Sequence, residues 1–418
     1  MLTDQDILSR ESLAGYDLAR IRSARVALVG CGAAGNNIAQ TLALVGVGEV
    51  RAIDPDTVDP SNLTRSPLFR RERLGKHARY KARELAQGVL QLSFAEDPVV
   101  RLVTTPVQAL GLGALAGVSV IVGAVDSLVV RAWLSDAAQL LGVPFVELGF
   151  RGFEGHVSVF SNRSSDDACW RCAHPHVSSV RRGCELYARA VAAEGLIPAT
   201  QSVAAILGNL AAEAAIQAIH GNFPLDGRQL RLDAHTGRTT SIEIMPEPRC
   251  PGVHRTLAPP RVLDVRANEP LAKVFAALDG HLEDPLVHLT EPVVVEAPCE
   301  RCGAVVRVQK PVWAITSTPA CGRCAERPPT DESRESAAPY VVRTIDRTSP
   351  LASIACRRLG LPAGAMFEVE DRATRALHVV QLAGTPDDLF TTLRRTERNA
   401  EAPARMTETD AARDAAEE

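Results

Sequence analysis

The sequence predicts an α/β protein organised around a nucleotide-binding strand–helix–strand unit, and three observations carry that prediction. First, Val26, Ala27, Leu28 and Val29 form an apolar run that leads straight into Gly30-x-Gly32-x-x-Gly35. Second, residues 36–45 place Ile38, Leu42 and Val45 at helical spacing. Third, another strand, Glu49 to Asp54, closes on an acid nineteen residues past Gly35. Strand, tight turn and helix in that order make a phosphate cradle. The glycines let backbone approach an anion, and the helix N-terminus adds N–H donors and a partial positive charge. Asp54 falls where a ribose hydroxyl would lie.

A chain of 418 residues has room for two or three domains, each able to bury a core. The formal charge of −4 gives no reason to expect non-specific nucleic-acid binding, so the partners expected are proteins or small molecules. No apolar run reaches the ~18 residues of a membrane span. Met1-Leu-Thr-Asp-Gln-Asp6 also lacks the basic start and apolar segment of an export signal, so a cytoplasmic protein is expected. Ten cysteines, several in C-x-x-C pairs, point to metal sites rather than disulfides.

Residues 3–24 carry Ile7, Leu8, Leu13, Leu18 and Ile21 at helical spacing, which predicts one or two short helices before the first strand, with Arg10 among them. The segment after Asp54 is the most informative: Asp56, Val58, Asp59, Ser61, Asn62, Leu63 and Arg65 follow in quick succession, then Gly75, Lys76 and Lys81. A dehydrogenase would need only the one acid. A nucleotidyl-transfer site needs the rest, because an α-phosphate under attack wants Arg and Lys to take up developing charge and polar groups to fix its orientation.

Gly30-x-Gly32-x-x-Gly35, Asp54-x-Asp56-x-Val58, Ser61-Asn62-Leu63-x-Arg65, Gly75 with a following lysine, and Val125-Asp126-x4-Arg131 together resemble the ubiquitin-activating and ThiF/MoeB family over residues 5 to 255. That resemblance implies an enzyme that uses ATP and magnesium to adenylate the C-terminal glycine of a ubiquitin-like or sulfur-carrier protein. Carried over residue by residue, Gly30, Gly32 and Gly35 would cradle ATP and Asp54, with Asp56 beside it, would serve the ribose side of the nucleotide. Asn62, Arg65 and a lysine would contact the phosphates, and Asp126 would hold Mg2+ near the α-phosphate. Arg10 resembles the arginine that reaches into the partner subunit's site, which implies a homodimer.

The departures matter too. Ser66 and Ser127 stand where the family has Gln and Asn, and the usual lysine spacing would fall on Ala78. Lys81, opening a helix, is the expected replacement, with Lys76 the alternative. Cys169-Trp-Arg-Cys172 lies where the family has its first zinc pair, but the second pair reads Cys250-Pro-Gly-Val253-His254. The expected zinc ligands are Cys169, Cys172, Cys250 and His254, the alternatives being Cys184 as fourth ligand or a degenerate site without metal. Cys184 is also the candidate nucleophile for a thioester, because Arg181 and Arg182 would favour its thiolate. The usual cysteine position is Val191 here.

Residues 203–220 read as a buried alanine-rich helix, and Arg228 to Asp233 with Thr239 to Met245 as a closing hairpin. A proline-rich stretch from Pro246 to Arg261 marks a boundary. Beyond it Cys299-x-x-Cys302, eighteen residues, then Cys321-x-x-Cys324 is a zinc-ribbon spacing. After a polar linker come an expected strand Tyr340–Ile345, helix Pro350–Leu359 and strands Met366–Glu370 and Ala376–Leu382.

The fold expected is therefore α/β, with a Rossmann-like ATP-binding adenylation domain carrying a zinc site over 1–255. A zinc-ribbon module over 261–328, a small α+β domain over 339–395 and a disordered tail over 396–418 would follow. The function expected is adenylation of a ubiquitin-like protein, with onward thioester transfer to Cys184 and recruitment of a conjugating enzyme by the C-terminal modules. Sulfur-carrier activation for cofactor synthesis and a non-catalytic nucleotide-binding scaffold are the alternatives.

Overall fold

A computed structural model describes residues 4–73, 79–95, 97–177, 198–299, 301–315, 320–325 and 338–395. Short helices at Asp4–Ile7, Ser9–Leu13 and Leu18–Ser23 lead into β1 (Arg25–Val29) and β2 (Glu49–Ile53). Then come β3 (Val99–Val103), β4 (Val120–Gly123), β5 (Phe145–Arg151), β6 (Glu154–Phe160), β7 (Arg228–Asp233) and β8 (Arg238–Glu243). The long helices are α1 (Ala33–Leu44), α2 (Lys81–Leu92), α3 (Leu128–Leu141) and α4 (Gln201–Ile219).

These strands belong to one sheet in the order β3-β2-β1-β4-β5-β6-β7-β8, parallel from β3 to β5 and antiparallel beyond. A parallel sheet must be covered on both faces, so its strands read as continuous apolar runs. In β1 the alternation splits that run: Val26 and Leu28 pack with α1, α2 and α4, while Ala27 and Val29 pack with Trp133, Leu134 and Ala138 of α3. Helix α4 is long and apolar enough by composition to cross a membrane, contrary to the expectation that no such run exists. It is instead packed on α1 and on β4 to β6, with Val203, Leu207, Ala211, Ala215 and Ile216 buried.

The C-terminal half departs from the expected modules. A second, six-stranded sheet is built from β9 (Arg261–Val262), β10 (Pro285–Pro298), β11 (Val305–Pro311), β12 (Tyr340–Ile345), β13 (Met366–Asp371) and β14 (Ala376–Gln381). Strand β10 pairs with β11 through its C-terminal half, with β13 through its N-terminal half and with β12 along its other edge. The segments 261–328 and 339–395, expected as separate units, therefore share a sheet and one apolar core containing Leu271, Val274, Val287, Leu351, Leu359 and Phe367. The helix expected over Pro350–Leu359 is two 3₁₀ turns, Pro350–Ser353 and Cys356–Leu359, split by extended backbone at Ile354.

The chain then returns to the first sheet. β15 (Thr391–Arg394), not expected from sequence, pairs antiparallel with β3, and its residues cover an edge whose N–H and C=O groups would otherwise be open. Buried Arg51 anchors the approach by bonding the Ala114 carbonyl (2.6 Å), Glu49 (2.8 Å) and Asp387 (3.2 Å), with the Phe390 ring against its guanidinium. Near the end of the domain connection, Arg255 makes a two-pronged ion pair with Glu368 of β13 at 2.7 and 2.5 Å.

Candidate active site and metal centres

The candidate site lies outside the carboxyl ends of β1, β2 and β4, where the strand order reverses and a crevice opens in sheets of this kind. Two of the three glycines are fixed by the protein's own packing. Gly30 has φ +95°, and a Cβ there would sit 2.3 Å from the Ala124 carbonyl oxygen; a Cβ on Gly35 would sit 2.0 Å from the Gly30 oxygen. Gly32 is different, since a Cβ there meets nothing within 4 Å. It opens α1 with no side-chain cap and no acid in the first turn, so the N-terminus of a twelve-residue helix faces open space. That arrangement suits an anion.

Asp54 and Asn36 hold the turn in shape. The Asp54 carboxylate accepts the Cys31 N–H at 2.7 Å and the Asp56 N–H at 2.8 Å. Asn36, wholly buried inside α1, donates to the Cys31 and Gly32 carbonyls at 2.8 and 3.1 Å and accepts the Leu68 N–H at 3.0 Å. It ties the glycine turn to the segment after Arg65, a role the sequence did not suggest. Burial pushes the Asp54 carboxyl up to about 6, with Lys81 and the Cys31 N–H opposing the rise.

Lys81 is the first residue of α2, and its ammonium lies 2.8 Å from Asp56. Burial lowers its pKa, but Asp54, Asp56 and Asp126 together raise it above the usual lysine value, so it stays charged. Lys81 thus pairs directly with Asp56 and is acted on by the charges of Asp54 and Asp126, whereas Lys76 lies outside the described residues. Asn62 closes a capping box, its Oδ1 accepting the Asp59 N–H at 3.0 Å, and Arg65 is held against the Ser61 carbonyl at 2.5 Å. Arg10 is exposed on the helix Ser9–Leu13, and Ser127 caps α3. Cys184 lies within 178–197, outside the described residues.

Asp126 sits on the loop after β4, and that loop has its own support. Arg131 donates twice to the Val125 carbonyl, at 2.9 and 2.7 Å, and once to Glu147 at 2.6 Å. Glu147 is fully buried on β5; burial pushes its carboxyl up, but Arg131 and His156 outweigh that and hold it below the usual value. The motif containing Arg131 is visible in the sequence, but Glu147 and His156 are not.

Both cysteine clusters close. Cys169 Sγ lies 3.8 Å from Cys172 Sγ, 3.7 Å from Cys250 Sγ and 3.5 Å from His254 Nε2, and Cys172 Sγ is 3.5 Å from that same nitrogen. A tetrahedral zinc with ~2.3 Å bonds to sulfur and ~2.0 Å to nitrogen places its ligands about 3.8 Å (S to S) and about 3.5 Å (S to N) apart. The four residues therefore fit that ion, with His254 as the fourth ligand atom of the set. Its Nδ1 lies 3.2 Å from the Ser165 carbonyl, which leaves Nε2 for a metal, and its left-handed φ of +43° turns the ring inward. Cys299, Cys302, Cys321 and Cys324 likewise bring their ligand atoms within 4.8 Å of one another, and could also hold zinc. Cys299–Cys302 lies between β10 and β11, and Cys321–Cys324 spans a short helical turn.

The ThiF family model matches residues 7–252, more than half of the chain. This chain belongs to the ThiF family. It is 30% identical over 239 residues to the sulfur carrier protein adenylyltransferase of Thermus thermophilus, covering 56% of this chain and 83% of that one. It is 28% identical over 261 residues to the molybdopterin-synthase adenylyltransferase of Salmonella typhimurium, covering 60% of this chain and 97% of the relative. Identity to the SAMP-activating enzyme E1 of Haloferax volcanii is 29%, over 56% of this chain and 81% of the relative. A crystal structure of Escherichia coli MccB with MccA-N7isoASN shares the fold, with a TM-score of 0.50 and 18% identity over 60% of this chain and 74% of that one. This ThiF-family chain is an adenylyltransferase, an enzyme of the activating kind.

The Asp54 environment sets a pH dependence. Below about 6 the buried carboxyl carries a proton, and the charge that holds the Cys31 and Asp56 N–H groups and faces Lys81 is gone. ATP–pyrophosphate exchange by this ThiF-family enzyme is expected to rise with pH through about 6 and level off above it, and a profile flat from 5 to 8 would remove Asp54 from that role.

Proposed function

We propose that this enzyme adenylates the C-terminal glycine of a ubiquitin-like protein, the carboxylate oxygen bonding to the α-phosphorus of ATP as pyrophosphate leaves. The observation that carries the reading is the 2.8 Å pairing of Lys81 with Asp56, with the charges of Asp54 and Asp126 acting on the same ammonium, beside an uncapped glycine turn. Bound ATP supplies the electrophilic α-phosphorus and the pyrophosphate leaving group.

The protein's part is to bind and orient. Gly30, Gly32 and Gly35 shape the turn that would receive the phosphates, and Asp54 holds that turn on the ribose side. Lys81, Arg65 and Asn62 would neutralise and align the phosphates, and Asp126 would hold Mg2+ there. Lys81 pairs with Asp56 across 2.8 Å, so a phosphate oxygen would compete for an ammonium already aimed at the site. A scaffold that only bound nucleotide would have no use for that convergence of charges. Zinc in the two clusters would be structural, since each closes with four protein ligands and offers no open position.

The Cys184 thiolate, favoured by Arg181 and Arg182, would then attack the carbonyl of the adenylated glycine, forming a thioester as the acyl–phosphate bond breaks and AMP leaves. The second sheet would receive the carrier or a conjugating enzyme, in a cytoplasmic setting. The names of the Thermus and Salmonella relatives favour a second reading, in which the carrier is a sulfur carrier for cofactor synthesis and no thioester forms. ATP–pyrophosphate exchange with each Gly-ending ubiquitin-like protein from the same source, followed by non-reducing gels with and without Cys184→Ala, separates them. Exchange with a thiol-sensitive adduct lost in the variant supports conjugation, exchange without an adduct the sulfur-carrier reading, and no exchange the scaffold.

Arg10 gives a test of the homodimer. If it serves the partner's site, Arg10→Ala and Lys81→Ala will each be inactive alone but will regain exchange when mixed, because one mixed site contains both native residues. Exchange retained by Arg10→Ala alone would place Arg10 outside the chemistry, and two inactive variants that do not recover on mixing would place it in its own subunit's site.

A further inference from the structure

We propose that Glu147 and His156 are positioning residues for the loop that carries Asp126, acting through Arg131. The adenylation reading supplies only the catalytic consequence of this inference; the mechanical part stands on the contacts themselves. Strand β4 ends at Gly123, and the chain must leave the sheet, present Asp126 and enter α3 at Leu128. The carbonyl immediately before Asp126, that of Val125, is beyond the ladder, and two N–H groups of Arg131 converge on it at 2.9 and 2.7 Å.

A guanidinium can hold a carbonyl in place only if it is itself held. Its third arm reaches Glu147 Oε1 at 2.6 Å, and Glu147 is fully buried. The other side of that carboxylate faces His156 Nε2 on β6, at 3.2 Å from Oε2 and 3.4 Å from Oε1. In the β5–β6 register His156 opposes Gly149, two residues beyond Glu147, so both side chains share one face of the sheet. Gly149 completes the fit: a Cβ there would sit 2.5 and 2.7 Å from the two terminal nitrogens of Arg131. A bare strand position lets the guanidinium lie flat between Val125 and Glu147. His156 therefore fixes Glu147, Glu147 fixes Arg131, and Arg131 fixes the carbonyl next to Asp126. A buried ion pair of this kind adds little net stability over apolar packing, but it specifies one geometry, and losing one partner leaves the other charge unpaired. Displacement of a catalytic group by about 1 Å can lower a rate about 10²-fold.

The test uses the full chain without nucleotide for one readout and with ATP and carrier for the other. Glu147→Gln keeps the shape and removes the charge. Amide hydrogen exchange of segment 124–130 should quicken by about tenfold, while kcat for pyrophosphate exchange falls on the order of 10²-fold and KM for ATP stays within about twofold. His156→Ala should act in the same direction, and His156→Gln, whose amide can still donate to Glu147, should restore both readouts. Unchanged amide exchange over 124–130 in Glu147→Gln, a loosened segment with full kcat, or equal effects of His156→Ala and His156→Gln would each overturn the proposal. Should Glu147→Gln not fold, the His156 pair decides alone. Absence of pyrophosphate exchange in the wild type would strike the adenylation reading, and the amide-exchange comparison would still decide the positioning one.

Discussion

Lys81→Ala is expected to lower ATP–pyrophosphate exchange by about 10²–10³-fold, the range seen when one preorganised partner of a developing charge is removed. Lys81 opens α2 with its side chain 17% exposed, so it is positioned by the helix rather than swinging on a surface. Three carboxylates keep it cationic against the burial that would neutralise it. Removing it takes away the cation that pairs with Asp56 and offsets the Asp54 carboxylate. Nucleotide binding should weaken less than the rate, because the glycine turn and the helix N-terminus remain. Lys76→Ala should change exchange by less than about threefold, since Lys81 already supplies the cation that pairs with Asp56. Asp126→Asn should resemble Lys81→Ala and also shift the Mg2+ requirement upward. Full exchange in Lys81→Ala with loss in Lys76→Ala would reverse the assignment.

Cys169→Ala is the second large effect. Its sulfur lies within 3.8 Å of Cys172, Cys250 and His254, so it is one corner of the four-ligand set. Without it zinc content should fall from two per chain to one, as a three-ligand site binds much more weakly and opens to water. The loss should reach further than the cluster. Cys250 and His254 lie on the connection between the two sheets, and Arg255, which follows directly, makes the ion pair with Glu368. Freed of the metal, that connection should become the preferred protease cut between residues 246 and 261. Two zinc ions retained by the variant, or fewer than two in the wild type, would contradict the assignment of both clusters.

The parts of this molecule that were legible in the sequence are those where chemistry restricts the residue at a fixed spacing. Gly30 and Gly35 admit no Cβ, and cysteines paired at C-x-x-C spacing announce themselves. His254 was legible as a candidate ligand because one cysteine was missing, although its left-handed backbone was not. Lys81 was readable only as a displaced motif; the fold supplied the reason, which is that the helix begins there. The C-terminal half was read less well because strand pairing is not local. The polar stretch before Tyr340 looks like a boundary, yet β10 on one side of it pairs with β12 and β13 on the other. β15 is four residues long and pairs with a strand almost three hundred residues earlier, so no periodicity could mark it. Asn36 and Glu147 were missed for a related reason, as each is a buried polar residue to which only its partners from elsewhere in the chain give meaning.

The central claim is that a protein's C-terminal carboxylate is the group activated. The most direct test is ATP–pyrophosphate exchange by the full chain with a ubiquitin-like carrier ending in glycine, beside the same carrier with that glycine removed. Exchange is expected with the intact carrier, strictly dependent on ATP and Mg2+, and is expected to vanish when the terminal glycine is absent. Exchange that persists without the glycine, or that proceeds equally well with no carrier, would contradict the account.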